Sequence, residues 1–453
     1  MLTTTKKLLE NLRIIIFIIL YFFITSANLI HLILISLISF FSVWLTCYFK
    51  NKKRFYIYLS LISSFILLPL ILPNTFRNYL PPGYQYICIS LIASNLFIAF
   101  NNKFKNDNFF ATYLSNFTAV LTPFTYLAGP SATIEEVSKK EVDPIGLPDV
   151  NSIKNGKIKL AISGFLKLSL GSFLSTMSGN IENNIFNFNF LNSYNSIFFI
   201  ILFGFYNFWK YFLLFDGASE LCKAFLSTIG INVIDNFNSP YLAIFYHEIW
   251  SRWHLNITDR VRNYLYMPLS LFCLRRFSKF NKIIQIMSIE LLPAGILFFI
   301  IGIWHGGKKI DFIFALVSLI FTILSGLISK NNYIKKAIKK SNLFKQLVRY
   351  FSISLFGLAL GIYTIKFDSS DITENSISIL NQFLPYLLTC ILTTLYFNFK
   401  SNKLFLPQIK EILFSNSFLN IFTLFSEFLI ALFLQYKYVL PFDSSAEFMY
   451  FAY

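Results

Sequence analysis

The sequence predicts an all-α polytopic membrane protein, a single domain over residues 1–453 with about ten membrane helices by the length such helices need. Three observations predict it. Of the 453 residues, 55% are hydrophobic and only 13% charged, with 56 Phe, which is more apolar side chain than a soluble domain carries. Apolar runs of near-spanning length recur at 29–49, 56–72, 84–100, 288–303, 312–328 and 418–434. A span needs about 20 apolar residues, fewer where polar flanks snorkel. The net charge of +17 sits in short connectors at 50–54, 103–105, 139–167, 275–282 and 330–349. That is the positive-inside distribution, which draws anionic lipid heads and argues against nucleic acid as a partner.

The elements follow in order. Lys6, Lys7 and Arg13 precede the first apolar run. No small-residue cleavage site follows it, so it reads as a membrane helix rather than a signal peptide. Residues 25–28 break it from the second helix. A third helix at about 55–72 reaches an outer turn in which Pro81-Pro82-Gly83 cannot continue a helix. A fourth returns to 101–108. The stretch 109–130, broken by Pro123 and ended by Ala128-Gly129-Pro130, enters the membrane without crossing. Residues 131–158 are the longest polar stretch, a solvated loop with a short helix. Helices near 159–177 and 194–215 flank an Asn-rich loop at 180–192. A hairpin of helices at 287–304 and 311–328 returns to the cytoplasm and leaves His305 near its turn or a helix end. Helices at 348–365 and 378–397 flank an outward-facing acidic connector at 368–374, and a last helix spans 413–435. The five cysteines have neither metal spacing nor a disulfide framework and read as buried thiols.

Polar chemistry gathers between residues 236 and 305, which hold three of the four histidines and three of the five tryptophans. An ionisable group within a membrane bundle marks a site by default. Around His305, Gly302, Gly306 and Gly307 let backbone and ligand approach closely, and Trp304 supplies a wall. Around His254 the chain is basic and aromatic: Arg252, Arg260 and Arg262 interleave with Trp250, Trp253 and Tyr264. Two readings stay open there, and they are compatible. One is an interfacial segment anchored at the headgroups; the other is an anion-binding floor for the phosphates of a soluble donor. His247 reads as an interfacial polar residue and His31 as structural. P-loop, H-E-x-x-H, G-x-S-x-G and cysteine-cluster motifs are absent, and no metal site is expected. Asp216, Glu220, Asp235 and Glu248 are too dispersed to read as the carboxylate pair of a glycosyl-transfer enzyme.

Four motifs in this order carry a resemblance: N-F-N-x-P-Y at 236–241, W-x-R-W-H ending at His254, R-N-Y-L-Y-M-P-L at 262–269 and I-W-H-G at 303–306. Weaker support comes from L-P-P-G at 80–83, L-A-G-P at 127–130 and G-F-L-K at 164–167. The chain resembles the membrane-bound O-acyltransferases, in the bacterial branch of alginate O-acetyltransferase and the teichoic-acid D-alanyl transfer protein. The resemblance implies a ring of helices around a thin central region pierced by a tunnel. It implies His305 as the catalytic histidine and His254 as the second. Histidine suits the reaction because a hydroxyl needs a base as it attacks a thioester. Expected substrate-binding residues are Trp304, Gly306, Arg252, Trp253, Asn238, Arg262 and Tyr264.

No bound cofactor is expected. The acyl donor is acetyl-CoA or an acyl carrier protein thioester, and acetyl transfer is favoured. The expected partners are membrane lipids, a glycan acceptor of the cell envelope and a periplasmic or membrane-anchored acyltransferase partner. The expected location is the bacterial plasma membrane, multi-pass. Two alternatives remain: D-alanyl transfer to teichoic acid, and a non-catalytic permease or lipid-binding scaffold. Two departures bear on the acyl group and acceptor; in one, Ser270-Leu271 follows the 262–269 motif where acetyltransferase relatives often carry Gly-Gly. Where the branch carries Y-F-D-F-S-G-Y-S-D, this chain has F-L-L-F-D-G-A-S-E at 212–220, so both tyrosines are lost, the first aspartate becomes Leu214 and Glu220 replaces the second.

Overall fold

A computed structural model describes residues 14–22, 29–49, 84–100, 109–122, 150–176, 196–228, 233–305, 308–361 and 376–401, with a few isolated positions between them. The expected helices at 55–72 and 413–435, the loop at 180–192, the connector at 368–374 and Gly306-Gly307 lie wholly or largely outside the described residues. The leading helices are α1 (Leu29–Phe49), α2 (Tyr84–Phe100), α3 (Phe109–Val120), α4 (Val150–Ser175) and α5 (Ser196–Thr228). Short pieces follow: α6 (Tyr246–Trp250), α7 (Leu255–Val261), α8 (Met267–Phe277) and α9 (Lys282–Gln285). Then come α10 (Leu292–Trp304), α11 (Lys309–Lys330), α12 (Asn332–Lys340), α13 (Asn342–Gly361) and α14 (Ser376–Ser401).

Among the described residues six helices are long and apolar enough to cross a membrane: Leu29–Phe49, Lys157–Ser175, Ile197–Ser227, Ile286–Trp304, Lys309–Lys330 and Asn342–Gly361. No strand occurs among the described residues. The protein is an all-α, multi-pass membrane protein, because a helix satisfies its own backbone where no water can.

Two boundaries differ from the sequence reading. Helix α4 starts at Val150, so the end of the expected polar loop is helical. Helix α5 runs to Thr228 instead of stopping near 215. The reason lies in its side chains. Asp216 and Glu220, one turn apart, both meet Lys167 of α4, at 2.5 and 2.7 Å. Paired charge is tolerable where a lone charge would end the span.

Helix α5 is the hub, packed against α4 on one side and α13 on the other. Both contacts need glycine. A Cβ on Gly357 would collide with the Gly204 carbonyl across the α5–α13 contact, and one on Gly217 would strike the Leu168 backbone of α4. In a bilayer, where lipid is as apolar as protein, close backbone approach drives helix association. Around these contacts Trp209, Phe208, Phe212, Tyr241, Trp253 and Phe356 form the largest buried cluster.

Two wide turns interrupt the later helices. A π-helical turn at Arg262–Tyr266 leads into α8, and another at Ile286–Leu291 leads into α10. Each is followed two residues later by a proline, Pro268 and Pro293. Proline donates no N–H and its ring crowds the carbonyl four residues back, so the preceding turn widens.

Candidate functional site: a pair of histidines on one tryptophan

The loop before α6 is clasped to the segment before α7 by two backbone hydrogen bonds. Asn238 N donates to Arg252 O at 2.9 Å, and Leu255 N donates to Asn236 O at 2.7 Å. The Asn236 side chain ties this clasp to α5, its Nδ2 donating to Ser219 Oγ at 2.9 Å. At the clasp's corner sits His254, with φ 50° and ψ 51°, in the left-handed region. Its carbonyl accepts from Ile257 N and Thr258 N and so starts α7. Its side chain is buried, with ring centroids 6.2 Å from Phe237 and 5.9 Å from Trp304.

His305 arrives from another element. It closes α10, its N–H donating to Ile301 O at 2.9 Å. Its ring lies 4.7 Å from Trp304 and 5.4 Å from Phe314 of α11, centroid to centroid. Trp304 is therefore in contact with both imidazoles, one on each side of a gap of fifty-one sequence positions. Burial pushes the His254 pKa down to about 3, and the neighbouring His305 adds to the effect. Burial pushes His305 down to about 4. Both rings are then neutral at pH 7, the form that can accept a proton.

The structure places the other expected residues as follows. Trp253 is buried beside His254, its ring centroid 5.0 Å from both Phe237 and Phe356. Arg252 Nη1 donates to Asn238 O at 3.2 Å, so these two residues share the clasp. Arg262 and Tyr264 lie beyond α7 in the π turn; Arg262 is exposed and pairs with Asp259 at 3.2 Å. Gly306 lies outside the described residues. His247 is turned elsewhere, with Nδ1 3.0 Å from Ser325 Oγ of α11 and its ring stacked on Phe245; burial lowers its pKa. The structure thus gathers His254, His305, Trp304 and Trp253 and leaves Arg262 and His247 apart from them.

A second polar group was missed in the sequence. Lys167 joins Asp216 and Glu220 at the wall of a cavity of about 230 Å³ that Ser219, Asn236 and Phe237 also line. The signal was present: Asp216 and Glu220 stand four apart on a helix, so they share a face. No group of His, Cys, Asp and Glu suited to a metal ion occurs among the described residues.

No protein-family model matches the chain. Curated proteins do match it. It is 33% identical over 94 residues to the protein named "Probable alginate O-acetylase" of Azotobacter vinelandii, 20% of this chain and 19% of that one. Over that length the chain is a relative of bacterial O-acyltransferases. It is also 30% identical over 101 residues to a peptidoglycan O-acetyltransferase of Helicobacter pylori, 22% of this chain and 17% of the relative. A teichoic acid D-alanyltransferase of Bacillus subtilis is 26% identical over 97 residues, 21% of this chain and 24% of the relative. The chain spans about a fifth of the length of the curated relatives it matches.

Proposed function

We propose that the protein is an O-acyltransferase of the bacterial plasma membrane that moves an acyl group, acetyl in the favoured reading, from a cytoplasmic thioester to a hydroxyl of a cell-envelope or exported polysaccharide. The observation that carries this reading is the pair of neutral imidazoles on Trp304. His305 takes the proton of the acceptor hydroxyl as its oxygen attacks the thioester carbonyl. The tetrahedral intermediate then expels the thiolate, the C–S bond breaks, and the imidazolium returns its proton to sulfur. The products are an ester and a free thiol. His254 packs on the same Trp304 as the second histidine, and burial of His305 raises the cost of holding the imidazolium, which favours return of the proton.

The donor is acetyl-CoA, or in second place an acyl carrier protein thioester. Arg252 and Arg262 are the proposed contacts for its phosphates, and Trp253, Asn238, Tyr264 and Gly306 are proposed substrate contacts. A tunnel between membrane faces would let donor and acceptor meet, directly or through a membrane-anchored or periplasmic partner. D-alanyl transfer to teichoic acid is the second reading, supported by the Bacillus subtilis relative. The test is transfer of a labelled acetyl group from acetyl-CoA in membranes holding wild-type protein or His305→Ala. The variant is expected to lose transfer at equal protein level. Unchanged transfer refutes the base role, and a scaffold or permease then stands.

A further inference from the structure

Arg349 is a buried cation that the histidine chemistry leaves unused. It lies in α13, inside the candidate span Asn342–Gly361, and is 8% exposed. Its Nη1 donates to Gln346 Oε1 at 3.0 Å, one turn back on the same helix, and its Nε has no hydrogen-bond partner. Among the described residues no carboxylate lies within ion-pair distance of it. A guanidinium cannot shed its proton, and a buried charge without a counter-ion is costly. Within a membrane bundle such a residue marks a site.

A second arginine approaches it from another element. Arg252 stands between Trp250 and Trp253, and both of those rings lie 5.0 Å from the Phe356 ring of α13, centroid to centroid. Phe356 follows Arg349 by two helical turns, so the two share the face of α13 that packs on α6. Arg252 gives Nη1 to Asn238 O and likewise has no carboxylate at ion-pair distance among the described residues. Arg252 and Glu248 are both near enough for their charges to act on Arg349. Glu248 is already engaged, its Oε2 accepting from Ile244 N and Phe245 N ahead of α6. One carboxylate against two guanidiniums leaves a formal excess of one positive charge.

The position suits an anion arriving from the cytoplasm. The basic connector 330–349 lies on that side by its charge. Lys335, Lys336, Lys339 and Lys340 of α12 are exposed just ahead of α13, where they raise the local concentration of anions. Phe356 lies about 10 Å farther along α13 than Arg349, at 1.5 Å per residue. From Phe356 ring contacts continue through Trp253, Phe237 and His254 to Trp304. The two arginines therefore stand on the cytoplasmic side of the histidine pair, with aromatic side chains between.

We infer that Arg349 and Arg252 together bind a phosphate of the soluble thioester donor, the charged end of a pantetheine-bearing molecule whose acyl end points toward the histidines. A phosphate supplies the acceptor that Arg349 Nε lacks and the negative charge that the pair lacks, and guanidinium forks match its oxygens. This assignment rests on the reading of the protein as a thioester-using transferase, and it adds a residue of a distant helix to the donor site. An anionic lipid headgroup carries the same phosphate chemistry, and the test separates the two sources.

The test uses full-chain protein in phosphatidylcholine nanodiscs, with coenzyme A as the probe and isothermal titration calorimetry as the readout. Arg349→Gln is expected to weaken coenzyme A binding at least about tenfold, the factor for losing about one charge-assisted hydrogen bond. Its unfolding midpoint without coenzyme A is expected to equal or exceed that of the wild type, because no partner charge is stranded; a merely structural arginine would lower it. Arg349→Lys is expected to recover part of the affinity, since it restores the charge without the fork. Phosphatidylglycerol added to the nanodiscs is expected to shift the midpoints of wild type and Arg349→Gln equally. A shift lost in the variant would place a lipid headgroup at Arg349 and overturn the donor assignment. His305→Ala is expected to bind coenzyme A as the wild type does, so a failure of the catalytic assignment is distinguishable from a failure of this one. No coenzyme A binding to the wild type, wild-type affinity in Arg349→Gln, or affinity lost together with a fall in the midpoint would each overturn the assignment.

Discussion

Replacing Lys167 by Met should destabilise the protein by about 3 kcal/mol, the lower end of the range for stripping one partner from a buried ion pair. The side chains of Lys167 and Asp216 are 8% and 11% exposed, and that of Glu220 is 21% exposed. Two carboxylates lose their counter-charge at once, but water reaches Glu220 and screens part of the loss. Methionine fills a similar volume, so cavity formation adds little. Adding Asp216→Ser and Glu220→Gln to Lys167→Met removes the orphaned charges and should restore stability to within about 1 kcal/mol of wild type, because neutral replacement of a buried ion cluster is often close to neutral. Unfolding of the solubilised protein by denaturing detergent, followed by tryptophan fluorescence, gives all three values. The reasoning is refuted if Lys167→Met alone costs less than about 1 kcal/mol, or if the triple variant is no more stable than the single one, since coupling between touching residues must then be absent.

Other outcomes are expected on the same physical grounds. The acid limb of the transfer rate should lie near pH 4 rather than near the ordinary histidine value of 6.5. Burial depresses the His305 pKa, so the base stays unprotonated as pH falls; a limb at 6.5 in the pH–rate profile would contradict this. Gly357→Ala should cost about 1–3 kcal/mol by overpacking at the Gly204 backbone. Gly326→Ala on α11, where a Cβ meets open space, should be neutral or slightly stabilising in the same unfolding assay. Arg262→Ala should change stability by less than about 1 kcal/mol, since its pair with Asp259 is exposed, yet raise KM for acetyl-CoA with kcat retained; unchanged KM would remove Arg262 from the donor site.

The sequence exposed the membrane class because that class is written in composition and in run length. The apolar run at 29–49 and the pair at 287–304 and 311–328 appear as helical stretches with nearly those bounds, the second made of the π turn at Ile286–Leu291 together with α10. The two histidines drew attention through their company of Gly, Trp and Arg, and the structure brings both to Trp304. What escaped was anything that depended on a partner from another element. The continuation of α5 through Asp216 and Glu220 makes sense only with Lys167, 49 residues earlier, in place. Arg252 and Arg262 look alike as basic residues of one segment, but one donates into the clasp and the other to Asp259. No periodicity carries that distinction, because it is set by where the chain turns between them.

That turning has a consequence for how the site can change. His254 is aimed by a left-handed corner of the main chain, a conformation in which most side chains lose about 1–2 kcal/mol and Asn or Gly lose less. The main chain therefore fixes the direction in which the Cα–Cβ bond leaves, and repacking the neighbouring aromatics can change only the rotamer of the ring. Alanine at 254 would report on the imidazole and on the corner together. Asparagine would keep the corner while removing the imidazole, so the difference between the two variants separates the chemistry of the side chain from the path of the chain that delivers it.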